Sequence, residues 1–217
     1  MKNYKCILFD LDGTISDPKI GITKSVAHAL KHFRIETEDL DDLSKFIGPP
    51  LKDSFIEYYG FNNEEADLAV AKYREYFSVT GIYENTLYSG IEDLIQWLKS
   101  QQKVLVVATS KPTVYATKIL EHFNLLQYFD FVSGSELNGV RTKKSEVIEF
   151  ALEQINVNDL HNVIMIGDRE HDIIGAAKVG IDSIGVLFGY GNREELERAG
   201  ANFIVGSVKE LKLMVTQ

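Results

Sequence analysis

Residues 5–14 read Lys5-Cys6-Ile7-Leu8-Phe9-Asp10-Leu11-Asp12-Gly13-Thr14, a short apolar run that closes abruptly on two carboxylates and a glycine. Such a run is the signature of a strand buried on both faces, and Gly13 lets the chain turn directly behind it. Similar runs recur at 104–108, 163–166 and 183–186, with a weaker one at 131–132. Between them lie amphipathic stretches of helical length at 91–101, 113–123, 145–154, 173–179, 193–199 and 208–215. Strands alternating with helices predict an α/β protein whose parallel sheet is covered on both faces.

The alternation is interrupted once. From Ser16 to about Tyr83 helical periodicity dominates: a helix is predicted over 20–33, another over 51–59 behind Pro49-Pro50, and a third over 64–77 behind Asn62, with Glu65 placed to complete a capping box. This predicts a helical insert of about 65 residues. The expected organisation is an α/β core of 1–15 and 84–217 with an inserted helical domain at 16–83. Asp17-Pro18-Lys19 and residues 83–89 are the expected connections.

The 217 residues are 45% hydrophobic and 25% charged, with 16 Gly, 4 Pro and 1 Cys, which excludes disorder, collagen and a disulfide scaffold. A net charge of −9 repels phosphate backbones and anionic lipid, so nucleic-acid and membrane partners are not expected. A small phosphorylated metabolite stays compatible where a metal ion or a few lysines reverse the sign locally. The single Cys6 inside its apolar run reads as a buried, inert thiol in a reducing compartment. The chain meets its first acid at Asp10, with no apolar signal region before it, and nowhere offers about 18 consecutive apolar residues. A cytoplasmic monomer or homodimer is expected.

Ligands of open α/β sheets bind at the carboxyl ends of the strands, so the residues that close each run decide the chemistry. The first run closes on Asp10 and Asp12, the second on Thr109-Ser110-Lys111, and the third on Gly167-Asp168-Arg169-Glu170-His171-Asp172. Asp10 and Asp12 are two apart and project to the same side. Any one of these acids alone is an ordinary turn or N-cap residue. Their joint arrival at the ends of separate strands is different, because carboxylates crowded at a dry sheet edge repel unless a cation sits among them. Hard oxygen ligands of this kind suit Mg²⁺.

These residues resemble the motifs of the haloacid dehalogenase superfamily of phosphohydrolases, and within it the phosphoglycolate phosphatase-like enzymes. Asp10-Leu11-Asp12-Gly13-Thr14 is similar to the first family motif, Thr109 to the second, Lys143 or Lys144 to the third, and residues 167–172 to the fourth, in the family order and across nearly the whole chain. The resemblance implies a Rossmann-like parallel sheet core with a small inserted helical cap domain. It implies that Asp10 is the nucleophile forming an aspartyl-phosphate and that Asp12 is general acid and base. Thr109, Ser110 and Lys144 would bind the phosphoryl group. Mg²⁺ would be held by Asp10, Asp168 and the backbone carbonyl of Asp12, with Asp172 near the metal.

Two departures from the family pattern stand out. The third motif commonly carries Pro-x-Pro after its lysine, and residues 141–148 contain no proline; the register Lys144-Ser145-Glu146-Val147-Ile148 favours Lys144 over Lys143. Arg169 stands where a small hydroxyl residue often follows Gly-Asp. The segment Phe46-Ile47-Gly48-Pro49-Pro50-Leu51 resembles the cap loop of relatives, which makes Ile47, Gly48 and Lys52 the expected substrate-selecting residues. His28 and His32 lack a Glu in metalloprotease register and read as helix-surface polars. The glycines of 185–191 lack dinucleotide-motif spacing and read as a turn after a strand, with Tyr190 a candidate for the active-site entrance.

The expected activity is Mg²⁺-dependent hydrolysis of a small phosphomonoester, either a phosphoglycolate-like acid or a 5′-nucleotide. A sugar phosphomutase of the β-phosphoglucomutase kind shares the same chemistry, and a non-catalytic phosphate-binding module is the alternative from another class. Dehalogenation gives Asp12 no task.

Overall fold

The structure, a computed structural model, describes residues 3–215. The strand β1 (Cys6–Phe9) lies in the middle of a six-stranded sheet. On one side of it stand β4 (Val104–Pro112) and β5 (Phe131–Ser135); on the other stand β6 (Val163–Gly167), β7 (Asp182–Val186) and β8 (Phe203–Val205), giving the order β5-β4-β1-β6-β7-β8. Every pairing is parallel. After β1 the chain builds outward through β4 to β5, then returns to the other side of β1 for β6. Strand order therefore reverses beside β1, and the crevice beyond its carboxyl end is where such sheets place their ligands.

The core helices are α4 (Ile91–Ser100), α5 (Thr113–His122), α6 (Lys144–Gln154), α7 (Glu170–Val179), α8 (Arg193–Ala199) and α9 (Val208–Val215). Side chains of a strand alternate between faces. Cys6 and Leu8 accordingly share one face with Val106, Ala108, Val163 and Met165, and that face packs on Val147, Ile148, Ala151 and Leu152 of α6 and Ala176 of α7. Ile7 and Phe9 take the opposite face and are equally buried. Both faces are dry, which is why the run is continuously apolar rather than alternating. The same alternation assigns Asp10 to the α6 side of the sheet, and α6 begins with Lys144.

The chain divides into two compact units, Met1–Asp17 with Leu87–Gln217, and Pro18–Thr86. The divisions fall at 17/18 and 86/87, where the sequence reading placed them at 15/16 and 83/84. The connecting segments β2 (Ser16–Asp17) and β3 (Thr86–Leu87) pair as a separate two-stranded sheet, too short to leave a periodic signal. The second unit holds α1 (Lys19–His32), α2 (Leu51–Tyr59) and α3 (Asn63–Phe77), with short 3₁₀ segments at Leu40–Phe46 and Gly81–Tyr83. Asn62 caps α3 by accepting from the N–H groups of Glu64 and Glu65, while the Glu65 carboxylate accepts from the Asn62 N–H, the capping box expected from the sequence. Inside this unit Phe46, Phe55 and Phe61 form an aromatic cluster with Tyr58 and Tyr59.

Of the elements that differ from the sequence reading, three do so for a plain physical reason. Helix α7 begins at Glu170 rather than 173, because its first turn is polar and capped, and apolar periodicity starts only at Ile173. Strand β4 runs on to Pro112 rather than stopping at 108, since Thr109 and Lys111 are polar yet buried, and its register against β5 shifts between Ala108 and Pro112. Strand β8, a three-residue edge strand, is too short for the apolar-run criterion and was not anticipated.

Candidate active site

The sheet register assembles the site. Phe9 stands opposite Val107 of β4 and Ile166 of β6, and the Asp10 N–H donates to the Ile166 carbonyl at 2.8 Å. Asp10, Ala108 and Gly167 thus follow at one level, with Thr109 and Asp168 one step beyond. Asp172 arrives on the first turn of α7 and Lys144 at the first residue of α6, both from the same face of the sheet. Asp10, Asp168 and Asp172 are buried, and each offers a carboxylate oxygen within 4.8 Å of the others. The Lys144 ammonium lies 2.9 Å from Asp10 Oδ1 and 2.7 Å from Asp172 Oδ1 and donates to the Ala108 carbonyl at 3.0 Å. Although both carboxylate oxygens are within ion-pair distance of the ammonium, neither receives a well-aligned hydrogen bond.

Small residues make this crowding sterically possible. Gly13, at φ +83°, lies so close to Asp168 that an added Cβ would overlap its carboxylate. A Cβ at Gly167 would strike Asp172, and one at Gly175 of α7 would sit 2.8 Å from Lys144 Cγ. The second oxygen of Asp172 accepts from the Arg169 N–H at 3.1 Å, a carboxylate satisfying a free donor at a helix N-terminus. Asp168 accepts from the Tyr190 N–H at 2.8 Å through Oδ2 and from the Thr14 hydroxyl at 3.4 Å through Oδ1.

Burial and like charge dominate the electrostatics. Burial raises Asp168 well above the ordinary carboxylate range, and Asp172 and Asp10 push the same way. Burial also raises Asp172, opposed by Lys144 and reinforced by Asp10. Asp12 is raised by burial against the opposing pull of Lys111. Burial works against the charge of Lys144, but the Asp10 and Asp172 carboxylates more than offset it and the ammonium is held. Four buried carboxylates, Asp10, Asp12, Asp168 and Asp172, face two buried ammonium groups, Lys111 and Lys144, which leaves two negative charges when all are ionised. A divalent cation among the three clustered oxygens balances that excess, so the donor set fits a hard cation such as Mg²⁺.

Most of the residues read from the sequence meet here, with differences in detail. Lys144, and not the neighbouring Lys143 at the exposed N-cap, enters the carboxylate cluster. The carboxylate of Asp12 is not one of the clustered three: its Oδ2 pairs with Lys111 at 2.7 Å, while Oδ1 is buried and accepts no hydrogen bond. The Thr109 hydroxyl is buried and accepts from the Lys111 N–H at 3.3 Å, and the Ser110 carbonyl accepts from the Ser135 hydroxyl at 2.8 Å. Arg169 turns to Glu195 at 2.8 Å. In the helical unit Ile47 is buried, Gly48 has φ +105°, and Lys52 pairs with Asp67 at 2.8 Å.

Two contacts of the site are not legible in the sequence, the pairing of Lys111 with Asp12 and that of Tyr190 with Asp168. Lys111 was noted only as the end of a strand; its available signal was a lysine between a buried strand and Pro112, where a solvated side chain is not expected. The sequence offers Tyr190 as a candidate for the active-site entrance, but not its bond to Asp168, which runs through a main-chain N–H that no side-chain pattern reveals.

Known proteins resemble this chain over most of its length. A family model described as haloacid dehalogenase-like hydrolase matches residues 7–186. A Pseudomonas aeruginosa protein named 5′-nucleotidase is 47% identical over 193 residues, covering 89% of this chain and 87% of the relative. A Mycobacterium tuberculosis protein named tyrosine-protein kinase PtkA is 34% identical over 208 residues, covering 95% of this chain and 70% of the relative. A crystal structure described as a predicted phosphatase from Clostridium acetobutylicum superposes with a TM-score of 0.95 at 52% identity, covering 98% of each chain. Among the described residues no helix is long and apolar enough to cross a membrane.

Proposed function

The chain belongs to the haloacid dehalogenase-like hydrolases and is a phosphatase of that family; from that premise we propose that it hydrolyses nucleoside 5′-monophosphates with Mg²⁺ through an aspartyl-phosphate on Asp10. The observation that carries the chemistry is the convergence of Asp10, Asp168 and Asp172 oxygens within 4.8 Å, with Lys144 between two of them. The preference for a nucleotide over a phosphoglycolate-like acid rests on the 47% identical relative named 5′-nucleotidase.

In this reading the carboxylates of Asp10, Asp168 and Asp172 and the carbonyl of Asp12 would hold Mg²⁺. The cation would supply charge neutralisation of the phosphoryl oxygens and a fixed approach for the nucleophile. An Asp10 oxygen bonds to phosphorus as the bond from phosphorus to the ester oxygen breaks. Asp12, which burial shifts toward holding a proton against the pull of Lys111, serves as the acid that gives a proton to the departing alkoxide. It then takes a proton from the water that attacks phosphorus, and the bond from Asp10 to phosphorus breaks to release phosphate. Lys144 and the Thr109 hydroxyl, with Ser110 beside it, bind the phosphoryl oxygens, whose negative charge grows in the transition state. The helical unit, through Ile47, Gly48 and Lys52, selects the substrate, since the core residues recognise only a phosphoryl group common to all phosphomonoesters.

The test is phosphate release from a panel of nucleoside 5′-monophosphates, phosphoglycolate and p-nitrophenyl phosphate with MgCl₂, using Asp10→Asn as the blank. Nucleotides should lead the panel in kcat/KM. Phosphoglycolate leading would move the substrate assignment, and full turnover by Asp10→Asn would remove the nucleophile. Lys52→Ala should change the ratio of kcat/KM among metabolites and leave p-nitrophenyl phosphate turnover within about threefold.

A further inference from the structure

The glycine-rich segment behind β7 is not absorbed by the chemistry above. Strand β7 ends at Val186 and α8 begins at Arg193, so residues 187–192 have no strand or helix of their own. They nevertheless close on Asp168. A Cβ at Gly189 would overlap the Asp168 side chain and the Gly13 carbonyl, and one at Gly191 would overlap the Asp168 carbonyl. Between these glycines the Tyr190 N–H donates to Asp168 Oδ2 at 2.8 Å. The Tyr190 phenol donates to Asp17 Oδ1, at the end of β2. Upstream, the Phe188 ring packs edge-on against Tyr88, with centroids 5.1 Å apart.

We propose that Tyr190 is a positioning residue for the cation-holding carboxylate Asp168: its main-chain N–H orients Asp168, and its phenol, bonded to Asp17, fixes where that N–H stands. The proposal rests on the reading that Asp168 holds Mg²⁺. A carboxylate with no partner can rotate about its Cα–Cβ and Cβ–Cγ bonds, and each orientation must be given up when a cation binds. A donor fixed on one oxygen removes that freedom beforehand. An irregular segment cannot supply a fixed donor unless something holds it, and the bond from the phenol to Asp17 is such a hold. Both glycines are needed because any side chain would push the segment off Asp168. Asp17 is also the last core residue before the chain enters Pro18–Thr86, so the same phenol ties the Asp168 support to a connecting segment.

The experiment measures Mg²⁺ binding by titration calorimetry without substrate, alongside thermal stability. Tyr190→Phe keeps the ring and the N–H and removes only the hydroxyl; it should weaken Mg²⁺ binding about tenfold, the low end for a group supporting a metal ligand. Asp17→Ala should do the same, Asp17→Asn should retain affinity within about twofold because an acceptor oxygen remains, and the double variant Tyr190→Phe/Asp17→Ala should be no worse than either single one. Gly189→Ala should weaken binding further. A role confined to holding the fold would lower the melting temperature and leave the Mg²⁺ affinity of Tyr190→Phe at the wild-type value, which overturns the proposal; additive losses in the double variant overturn it too. A wild-type protein that binds no Mg²⁺ removes the metal reading, and this proposal with it.

Discussion

Replacing Lys144 with methionine separates its electrostatic role from its volume. The side chain is buried and serves two carboxylates, Asp10 at 2.9 Å and Asp172 at 2.7 Å. Methionine fills similar space without charge, so four buried carboxylates then face Lys111 alone. Removing one partner of a buried ion pair costs about 3–5 kcal/mol. At roughly 2–4 °C per kcal/mol for a chain of this size, the cation-free protein should melt about 6–20 °C lower. Part of the loss is capped, because a carboxylate can take up a proton instead, at about 1.4 kcal/mol per pH unit between its pKa and the medium. The destabilisation should therefore be smaller near pH 5 than near pH 8. Turnover should fall by about 10²–10³ through loss of a charged phosphoryl contact. Affinity for Mg²⁺ should not fall, since the ammonium and the cation draw on the same carboxylates, Asp10 and Asp172. Lys143→Met is the control: Lys143 is exposed at the α6 N-cap, where a cation is slightly unfavourable, so both stability and rate should stay near wild type. Thermal melts in chelator and steady-state phosphate release decide the matter. Equal losses in the two variants, or a cation-free Lys144→Met protein as stable as wild type, would refute the reasoning.

Other consequences follow from the same distances and shifts. Without a cation Asp172 is raised to about 6, mainly by burial, so its protonated form stabilises the fold at low pH and that contribution is lost as pH rises through about 6; Mg²⁺ should therefore raise the melting temperature little at about pH 4.5 and much more at about pH 7.5, and a pH-independent increment contradicts the cluster as its site. Gly167→Ala should reduce activity at least about tenfold because its Cβ would strike Asp172, whereas Gly139→Ala, at φ +86° with nothing within 4 Å, should cost only about 1 kcal/mol of stability and no activity; equal kinetic effects would show that close packing around Asp172 is immaterial. Cys6 is buried, and burial with the charge of Asp130 pushes its thiol up to about 12, so a thiol reagent at neutral pH should modify the protein only as it unfolds; rapid labelling of the native protein would mean that β1 opens readily.

What the sequence made legible, and what it hid, divides along the range of the forces involved. The runs at 5–9, 104–108 and 163–166 were readable because burial on both faces selects apolar residues continuously, whatever their neighbours in space. The acids at their ends were readable because a strand end is a local feature and the switch in strand order concentrates ligands there. Helix α7 was read short because its first turn, Glu170 to Asp172, is selected for capping and charge rather than for apolar contact. Lys111 shows a deeper limit. Its meaning depends on Asp12, nearly a hundred residues earlier in the chain, and only the register of β1 against β4 brings the two within 2.7 Å. Apolar periodicity reports that Val107 is buried but not that a lysine four positions later is buried as well. Tyr190 lies further still from the reach of pattern, since the group that matters on Asp168 is an N–H that almost every residue type possesses. What marks the position is the pair of flanking glycines, and they mark it only once the geometry shows that a Cβ at either would overlap Asp168. These glycines lack dinucleotide-motif spacing because the room they make is for a carboxylate within the protein, Asp168, and not for a bound phosphate.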